Sequence, residues 1–337
     1  MFAASNRGFA HRQVAALLVD RNDGSILYAG VLNDKEFGGV FVSRDNGQSW
    51  KQMSEGLDGR DVFVLRQAQN GTIVAGTDRG IFQLSPAPGQ ENVRWQPLNT
   101  VEIATSSLHT GRSTAASRSG LTSSKPASEG REELNARVTG LELSPGRWFA
   151  STSIGLLIST DQGKTWRGGP IYGIKEMVGV SLLDRMVVAA GRHSVWVSVN
   201  GGESWLTGTL SGSISAVNSV TVDSNGVIWL GAREGVFRST NAGDSWQYMG
   251  TLPLSNIIAI RFDEENHRLL AVGSASTSVF ESADNGRSWH RTDSGWLLRD
   301  LRTLHGRVIA ATAFDGVVIQ PEPSAQVTEV SSGSGNP

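Results

Sequence analysis

Acidic and amide side chains at a repeated spacing are the first residues of this chain that could do chemistry. Five times, an Asp or Asn lies two residues after a Ser and five residues before a Trp, in the pattern Ser-x-Asp/Asn-x-Gly-x-x-Trp. A recurring carboxylate could bind a metal ion or act as a general acid or base. Two of the five positions carry Asn, which neither role tolerates easily. We therefore predict structural roles for the repeated pairs, which are Asp45 and Trp50, Asp161 and Trp166, Asn200 and Trp205, Asn241 and Trp246, and Asp284 and Trp289.

The repeated pattern predicts a tight turn between two strands. The Asp or Asn accepts hydrogen bonds from backbone N–H groups in the turn, and the Gly adopts a positive φ without a Cβ clash. The Trp anchors the returning strand by burying its ring. Each copy follows a short apolar run, such as 39–42. We expect Trp205→Ala or Trp246→Ala to cost about 3–5 kcal/mol of stability.

The spacing of the copies predicts a repeat architecture. The last four copies start roughly forty residues apart, which is the period of a four-stranded propeller blade. The pattern resembles the Asp-box of the BNR repeat family, and loosely the single-ring propellers related to the photosystem II assembly factor. The resemblance implies an all-β, seven-bladed β-propeller of four-stranded antiparallel blades, with six or eight blades as alternatives. It also places the boxes between the third and fourth strands, opposite the ligand face.

Apolar alternating runs predict where the blades begin, at Val14, Val62, Val138, Val178, Val217, Ile257 and Leu298. A single propeller domain is expected over 1–323, with a closing segment and flexible tail over 324–337. The seventh blade has no box, so a terminus must supply its outermost strand. The candidates are the stretch before Val14, which we favour, and residues 325–330. The Ser/Thr-rich segment 99–136 is predicted to be a mobile insertion between blades two and three, with a functional lid as the alternative.

The composition of the 337 residues sets broad limits. A net charge of −2 gives no electrostatic reason to expect nucleic acid or an anionic membrane as a partner. There is no Cys, and the six His residues show no metal-ligand spacing. We predict no cofactor, no metal and a monomeric protein. No segment is apolar enough for a membrane helix, and the N-terminus lacks a signal-peptide pattern. The family resemblance favours a periplasmic or secreted location, with the cytoplasm as the alternative.

Charged residues predicted in the loops opposite the boxes form the candidate binding site. Guanidinium groups bind carboxylates, phosphates and acidic protein surfaces, although loop charges also often contact only water. We predict a non-catalytic binding or scaffold protein that engages a protein or a glycan through this face. The candidate residues are Arg60, Asp61, Asp78, Arg79, Tyr172, Lys175, Arg192, His193, Arg233, Glu234, Arg299 and Asp315.

A carbohydrate-active enzyme, either a glycoside hydrolase or a lyase, is the alternative. Two carboxylates meeting at the channel mouth could catalyse glycoside cleavage. The spacing selects no pair among Asp34, Asp61, Asp78, Glu234 and Asp315. A sialidase is disfavoured because the chain lacks an Arg-Ile-Pro motif and has only one Tyr, Tyr172, near the expected mouth.

Overall fold

The computed structural model describes residues 2–4, 9, 11–32, 38–86, 93–98, 100–103, 130–210 and 212–321. Within these residues the chain forms thirty β-strands and no helix. The strands form seven sheets, each centred on four antiparallel strands, arranged as the blades of a ring. This confirms the predicted all-β, seven-bladed propeller.

The strands of blades one to three, in chain order, are as follows. Blade one contains β2 (Gln13–Val19), β3 (Leu27–Leu32), β4 (Gly39–Ser43) and β5 (Lys51–Gln52), and blade two contains β6 (Val62–Gln67), β7 (Ile73–Thr77), β8 (Gly80–Pro86) and β9 (Val93–Pro97). Blade three contains β12 (Val138–Ser144), β13 (Arg147–Thr152), β14 (Gly155–Ser159) and β15 (Trp166–Tyr172), together with β10 (Thr100–Ile103) and β11 (Gly130–Glu133).

Blades four to seven repeat the same order. Blade four contains β16 (Met177–Leu183), β17 (Met186–Gly191), β18 (Ser194–Ser198) and β19 (Leu206–Gly208), and blade five contains β20 (Val217–Val222), β21 (Ile228–Ala232), β22 (Val236–Ser239) and β23 (Gln247–Tyr248). Blade six contains β24 (Ile257–Asp263), β25 (Arg268–Gly273), β26 (Ser278–Ser282) and β27 (His290–Asp293). Blade seven contains β28 (Leu298–Leu304), β29 (Arg307–Thr312), β30 (Val317–Ile319) and β1 (Ala3–Ala4).

The first strand of each blade lies against the first strand of the next blade, and β28 contacts β2 to complete the ring. The core lies between blades, where apolar side chains of neighbouring sheets pack together. One buried cluster, for example, joins Val64 and Val74 of blade two to Val138, Leu141 and Trp166 of blade three. This packing makes the ring a rigid scaffold for the loops at its two faces.

The N-terminus closes the seventh blade. Strand β1 pairs antiparallel with β30, and Ala3 lies opposite Ile319. Phe2 and Phe9 on either side of β1 are buried, and the Phe9 ring stacks on Trp50 with 5.0 Å between ring centroids. Of the two candidate closing strands, the structure therefore uses the N-terminal one. The alternative segment, 325–330, and the predicted tail lie outside the described residues.

Two short strands lie within the predicted insertion 99–136. Strands β10 and β11 lie inside this range, pair with each other, and extend blade three because β10 runs parallel to β15. Val101, Leu134 and Ala136 are buried in the cluster that contains Trp166. These few apolar residues are enough to order both ends of the segment against an existing core. The remaining residues of the prediction, 99 and 104–129, lie outside the described part of the chain.

All five boxes adopt one hydrogen-bonded turn. In the first, the Gly47 amide donates to Ser43 Oγ at 2.8 Å, and the Ser49 amide donates to Asp45 Oδ1 at 2.9 Å. The same pair of bonds recurs in the other four boxes. Where the carboxylate is replaced by Asn200, its Oδ1 still accepts the backbone bond, and its Nδ2 donates to Ser204 Oγ. In each box, the Ser and the Asp or Asn therefore accept hydrogen bonds from backbone amides of the same turn.

The box tryptophans differ in burial. Trp50 and Trp166 are buried, and Trp166 donates its indole N–H to the Leu98 carbonyl at 2.9 Å. Trp205, Trp246 and Trp289 are only partly buried. The large cost expected for truncating Trp205 or Trp246 therefore applies better to Trp166, because only a fully enclosed ring leaves a full cavity.

Candidate binding face and central channel

Hydrogen bonds define the two faces of the ring. On one face the boxes contact the turns between first and second strands; for instance, the Asn46 amide donates to the Ser25 carbonyl. We call this the box face. On the other, which we call the loop face, the turns between second and third strands contact the connections between blades. There the Asp78 amide donates to the Asp61 carbonyl at 3.0 Å, and the Arg233 amide donates to the Ala216 carbonyl at 2.9 Å.

One group of predicted site residues lies on the loop face at blade two. Arg79 Nε donates to Asp78 Oδ2 at 3.1 Å, and Arg79 remains exposed. The guanidinium of Arg60 lies over the Phe82 ring at 5.0 Å, a cation–π contact that holds this side chain half-buried. Asp61 joins the group through its carbonyl. In this group, the carboxylate of Asp78 therefore forms an ion pair with Arg79.

A second group lies on the loop face at blades four and five. His193 Nδ1 lies 2.9 Å from the Ser215 carbonyl oxygen, and the Ser215 amide and hydroxyl both donate to the Glu234 carboxylate. The Arg192 amide donates to the Glu176 carbonyl at 3.1 Å. Arg192 and Arg233 have exposed side chains. Two cations and a histidine therefore share this part of the face with Glu234.

The hydrogen bonds to Glu234 decide its charge. Burial acts to raise the pKa of Glu234, but the hydrogen bonds from Ser215 outweigh it and hold this pKa below its ordinary value of 4.5. Glu234 is accordingly an anion at neutral pH. A general acid in glycoside cleavage needs the opposite shift.

The third group lies at blade seven beside the channel. Arg299 is exposed, and Asp315 is half-buried with its amide donating to Thr312 Oγ1 at 2.8 Å. Phe314 and Leu297 are 64% and 40% exposed, and they are neighbours because the Ala313 amide donates to the Leu297 carbonyl. With the half-buried Trp296, these two side chains form what we call the apolar patch.

The remaining predicted residues stay apart from these groups. Lys175 is exposed in the connection from blade three to blade four. The backbone of Tyr172 ends β15, where it lies opposite Gly155. The loop 33–36, which contains Asp34, lies outside the described residues.

The first strands of the blades line a central channel with a cavity of about 390 Å³. Each first strand has the same register shift near its start, so equivalent positions form rings around the cavity. One ring, which we call the lower ring, consists of Leu18, Arg66, Glu142, Ser181, Thr221, Arg261 and Arg302. A second ring lies nearer the loop face. Among the described lining residues of the cavity, Arg299 in this second ring is the only predicted binding residue.

Five side chains in the channel form what we call the channel cluster: Arg66, Glu142, Arg261, Asp300 and Arg302. Arg66 Nη2 lies 3.3 Å from Glu142 Oε1. Asp300 Oδ1 lies 2.8 Å from Arg261 Nη2 and 3.1 Å from Arg302 Nη1. The five residues belong to blades two, three, six and seven, so the cluster spans the width of the channel.

The two carboxyl groups of the channel cluster have opposite pKa shifts. Burial raises the pKa of Glu142 above its ordinary value, although Arg66 opposes the shift. Burial also acts to raise the pKa of Asp300, but the positive charges of Arg261 and Arg302 outweigh it and lower this pKa. Burial lowers the pKa of Arg302 to about 10, so this guanidinium stays protonated at neutral pH.

Solved structures with the same fold include proteins of several kinds. YCF48 from Cyanidioschyzon merolae is 15% identical, with a TM-score of 0.60 and coverage of 92% of this chain and 95% of that one. YCF48 bound to D1 peptide is 13% identical, with a TM-score of 0.61 and coverage of 94% and 95%. Catalytically inactive virginiamycin B lyase from Staphylococcus aureus is 10% identical, with a TM-score of 0.66 and coverage of 95% and 99%.

The extracellular domain of BT4673, a one-component system protein from B. thetaiotaomicron, is 12% identical to this chain, with a TM-score of 0.64. The match covers 94% of this chain but only 42% of that one, so the chain spans less than half its length. At these identities the likeness concerns the fold alone. No curated protein sequence matches the chain significantly.

The sequence profile of the BNR/Asp-box repeat matches residues 157–167, which include the third-blade box from Ser159 to Trp166. The same pattern and the same hydrogen bonds occur in four further blades. The chain is a seven-bladed β-propeller that carries BNR/Asp-box repeats.

Sequence reasoning about this BNR propeller missed the channel cluster. Its signal was a charged residue four residues after the apolar residue near the start of the first strand, as in Val62 and Arg66 or Ile257 and Arg261. Aligning the repeats would have shown it. Asp300, two residues after Leu298, does not follow this spacing. Two loop-face arginines were also missed. Arg12 lies 5.5 Å from the Phe41 ring centroid, and Arg137 lies 5.2 Å from that of Phe63.

Two findings concern other ligands and the membrane. In the described part of the propeller, no helix has the length and apolar character that crossing a bilayer requires. Among the same residues, no group of three or more His, Asp or Glu side chains is placed to hold a metal ion.

Proposed function

We propose that this BNR propeller is a non-catalytic binding protein whose loop face engages an acidic, partly apolar segment of a protein partner. The observation that carries the proposal is the composition of the loop face. Exposed arginines at blades two, four, five and seven, namely Arg79, Arg192, Arg233 and Arg299, surround a face that also displays the apolar patch.

Arginine and aromatic side chains together favour a protein partner over a glycan. Arg, Trp and Phe are enriched in protein–protein interfaces, and a few such residues supply most of the binding energy. Phe314 is exposed beside Leu297, so a partner would bury both together. The D1 peptide bound to YCF48, a propeller of the same fold, gives a precedent for a peptide partner. The extracellular domain of BT4673 supports an extracytoplasmic location for this chain as well.

The loop-face carboxylates give little support to the carbohydrate-active alternative. Asp78 forms an ion pair with Arg79, and Glu234 accepts two hydrogen bonds from Ser215. Both anions therefore have structural partners. A hydrolase that used Glu234 as its general acid would require this carboxyl to be protonated near neutral pH, whereas the hydrogen bonds from Ser215 lower its pKa.

A capture experiment with matched charge variants tests the proposal. The wild-type propeller, a loop-face variant (Arg79→Ala, Arg192→Ala and Arg233→Ala) and a box-face variant (Arg44→Ala, Arg185→Ala and Arg287→Ala) are immobilised after equal folding has been checked. All six arginines have exposed side chains. Captured proteins are cross-linked and identified. Synthetic peptides that cover the sequence of each captured protein are then used to measure affinity.

We expect a partner retained by the wild-type and box-face variants and lost by the loop-face variant, with affinity residing in an acidic peptide. Phe314→Ala should weaken the same peptide. Equal retention by both triple variants would overturn the proposed face. Release of the captured material by a soluble polysaccharide would identify a glycan ligand instead. Hydrolysis of that polysaccharide, abolished by Glu234→Gln, would establish the enzyme alternative.

A further inference from the structure

We propose that the central channel is a binding site for a small oxyanion, a free carboxylate or phosphate compound, held between Arg66, Arg261 and Arg302. The site is separate from the proposed docking face. It rests on the charge balance of the channel, the spare donors of its arginines and the size of the cavity.

Among the charged residues that line the cavity, the arginines outnumber the carboxylates, four to three: Arg66, Arg261, Arg299 and Arg302 against Glu142, Asp263 and Asp300. Three guanidinium groups of the channel cluster face only two carboxyl groups, Glu142 and Asp300. A third carboxylate that lines the cavity, Asp263, lies 2.9 Å from Arg268, a cation outside the cavity lining that also pairs with Glu281. Arg299 adds a further cation at the loop-face end. Unpaired charge in a partly desolvated cavity is costly, so an anion bound there is stabilised.

Arg66, Arg261 and Arg302 make the same hydrogen bond to their own backbone. Each donates Nη1 to the carbonyl of the preceding residue, at 3.0 Å for Arg66, 2.9 Å for Arg261 and 2.7 Å for Arg302. This bond fixes the guanidinium plane against its own strand. Fixed guanidinium groups bind oxyanions well because little side-chain entropy is lost on binding.

Donor capacity remains at the cluster. Arg261 Nε is buried and has no hydrogen-bond partner among the described residues. Unsatisfied buried donors are rare in native proteins and call for a ligand or a water molecule. The hydroxyl-bearing Thr221 lies in the same ring and adds a polar neighbour. Blades four and five contribute the uncharged residues Ser181 and Thr221 to the lower ring, so no carboxylate repels an anion on that side.

The cavity suits a small ligand. Its volume of about 390 Å³ lies at the lower end of the range for small-molecule sites. The ring nearest the loop face consists mostly of small or apolar residues, Ala15, Phe63, Thr139, Val178, Asn218, Ile258 and Arg299. The exposed Arg299 would attract an anion towards the channel.

Binding of inorganic phosphate and of citrate, measured by isothermal titration calorimetry on the full chain, tests the proposal. Ionic strength is held constant with sodium chloride. The variants are Arg66→Gln, which removes the excess charge, Glu142→Gln, which increases it, and Arg287→Gln, which removes an exposed charge from the box face. We expect saturable one-to-one binding of at least one oxyanion to the wild-type protein. Its affinity should fall about tenfold or more in Arg66→Gln, rise in Glu142→Gln, and stay unchanged in Arg287→Gln.

The opposite effects of the two channel variants separate a ligand site from a purely structural ion-pair network, which would show no oxyanion binding in either. Because Arg66→Gln leaves Glu142 without its partner and could unfold the chain, crystals of the wild-type protein soaked in arsenate give a second measurement. Anomalous scattering should place arsenic beside Arg66, Arg261 and Arg302. No saturable binding to the wild-type protein, equal affinity in all variants, chloride binding as tight as oxyanion binding, or arsenate found elsewhere would each overturn the proposal. Phosphate and citrate affinities then distinguish a phosphate ligand from a carboxylate ligand.

Discussion

At the scale of single residues, the boxes show how one turn accepts two different side chains. Asp45 accepts hydrogen bonds from both the amide and the hydroxyl of Ser49. Asn200 accepts from the amide of Ser204 but donates to its hydroxyl. A hydroxyl can reverse its role in this way because it is both donor and acceptor. The negative charge is therefore dispensable for the turn, which explains why Asp and Asn share the position.

The difference in burial between box tryptophans yields a stability prediction. Trp166→Ala should lower the free energy of unfolding by about 3–5 kcal/mol, because its ring is fully buried and its N–H bonds the Leu98 carbonyl. Trp205→Ala should cost clearly less, because that ring is partly exposed and meets Phe149 edge-on at 6.4 Å. Urea unfolding of both variants measures the two costs. Equal losses would contradict the burial argument.

The box carboxylates predict how stability depends on pH. Hydrogen bonds from Ser49 lower the pKa of Asp45 from 3.8 to about 2, and hydrogen bonds from Ser288 lower that of Asp284. Burial acts to raise the pKa of Asp161, but hydrogen bonds from Thr165 outweigh it. A lowered folded-state pKa contributes stability that is present above the unfolded pKa of about 4 and is lost as the pH falls through about 2.

The variant carrying Asp45→Asn, Asp161→Asn and Asp284→Asn should therefore lose less thermal stability than the wild-type protein between pH ~5 and ~2.5. It should still fold at neutral pH, because Asn200 and Asn241 support the same turn. Calorimetric melting curves across this pH range make the comparison. If the melting temperatures of the two proteins fall in parallel, the box carboxylates do not contribute to acid sensitivity.

At the scale of elements, the ring depends on how its two ends meet. Strand β1 has only two residues, so it contributes few hydrogen bonds to blade seven. Phe9 adds apolar contacts to this junction. It packs in one buried cluster with Leu17 and Leu27 of blade one and with Leu304 and Ile309 of blade seven. The junction between the first and last blades is thus stabilised mainly by apolar contacts. Pairing with β1 also covers the edge of β30 that would otherwise be exposed.

Phe9→Ala should lower the free energy of unfolding by about 3–5 kcal/mol, because it leaves a cavity between blades one and seven. The matched control is Phe314→Ala, whose side chain is 64% exposed and which should change stability by about 0.5 kcal/mol or less. Urea unfolding followed by tryptophan fluorescence measures both, since Phe9 stacks on Trp50. A neutral Phe9→Ala would mean that the hydrogen bonds of β1 suffice for closure.

At the scale of the whole molecule, a near-neutral chain carries its charges unevenly. The net charge is only −2. Even so, arginines collect at the loop face and in the channel, where the fold brings one or more from most blades. A net charge says little about a protein whose ring separates two faces and a channel, because each surface presents its own local field.

Association of the proposed acidic partner should depend on ionic strength. Raising the salt from ~50 to ~300 mM should slow association of the wild-type protein about tenfold, since screening shortens the reach of the loop-face charges. The loop-face variant, with Arg79, Arg192 and Arg233 replaced by Ala, should show a flatter dependence. Stopped-flow binding measures both rates. The same slope in the two proteins would place the steering charges elsewhere.

Much of the fold could be predicted from local sequence. The turn pattern recurs at the blade period, and each turn is stabilised within eight residues, so its structure does not depend on distant parts of the chain. The extent of the insertion could not be predicted. Val101 and Leu134 are ordered by burial against Trp166, a contact that local composition does not reveal.

The sequence by itself predicted the propeller and the position of each box, because these follow from a repeat whose turns form locally, and it limited the blade number to seven with six or eight as alternatives. Only the tertiary structure decided which charges meet. Arg66, Glu142, Arg261, Asp300 and Arg302 are far apart along the chain and come together because ring closure points equivalent strand positions at one axis. On the loop face, backbone hydrogen bonds hold the turns between second and third strands against the connections between blades, as in the bond from the Asp78 amide to the Asp61 carbonyl.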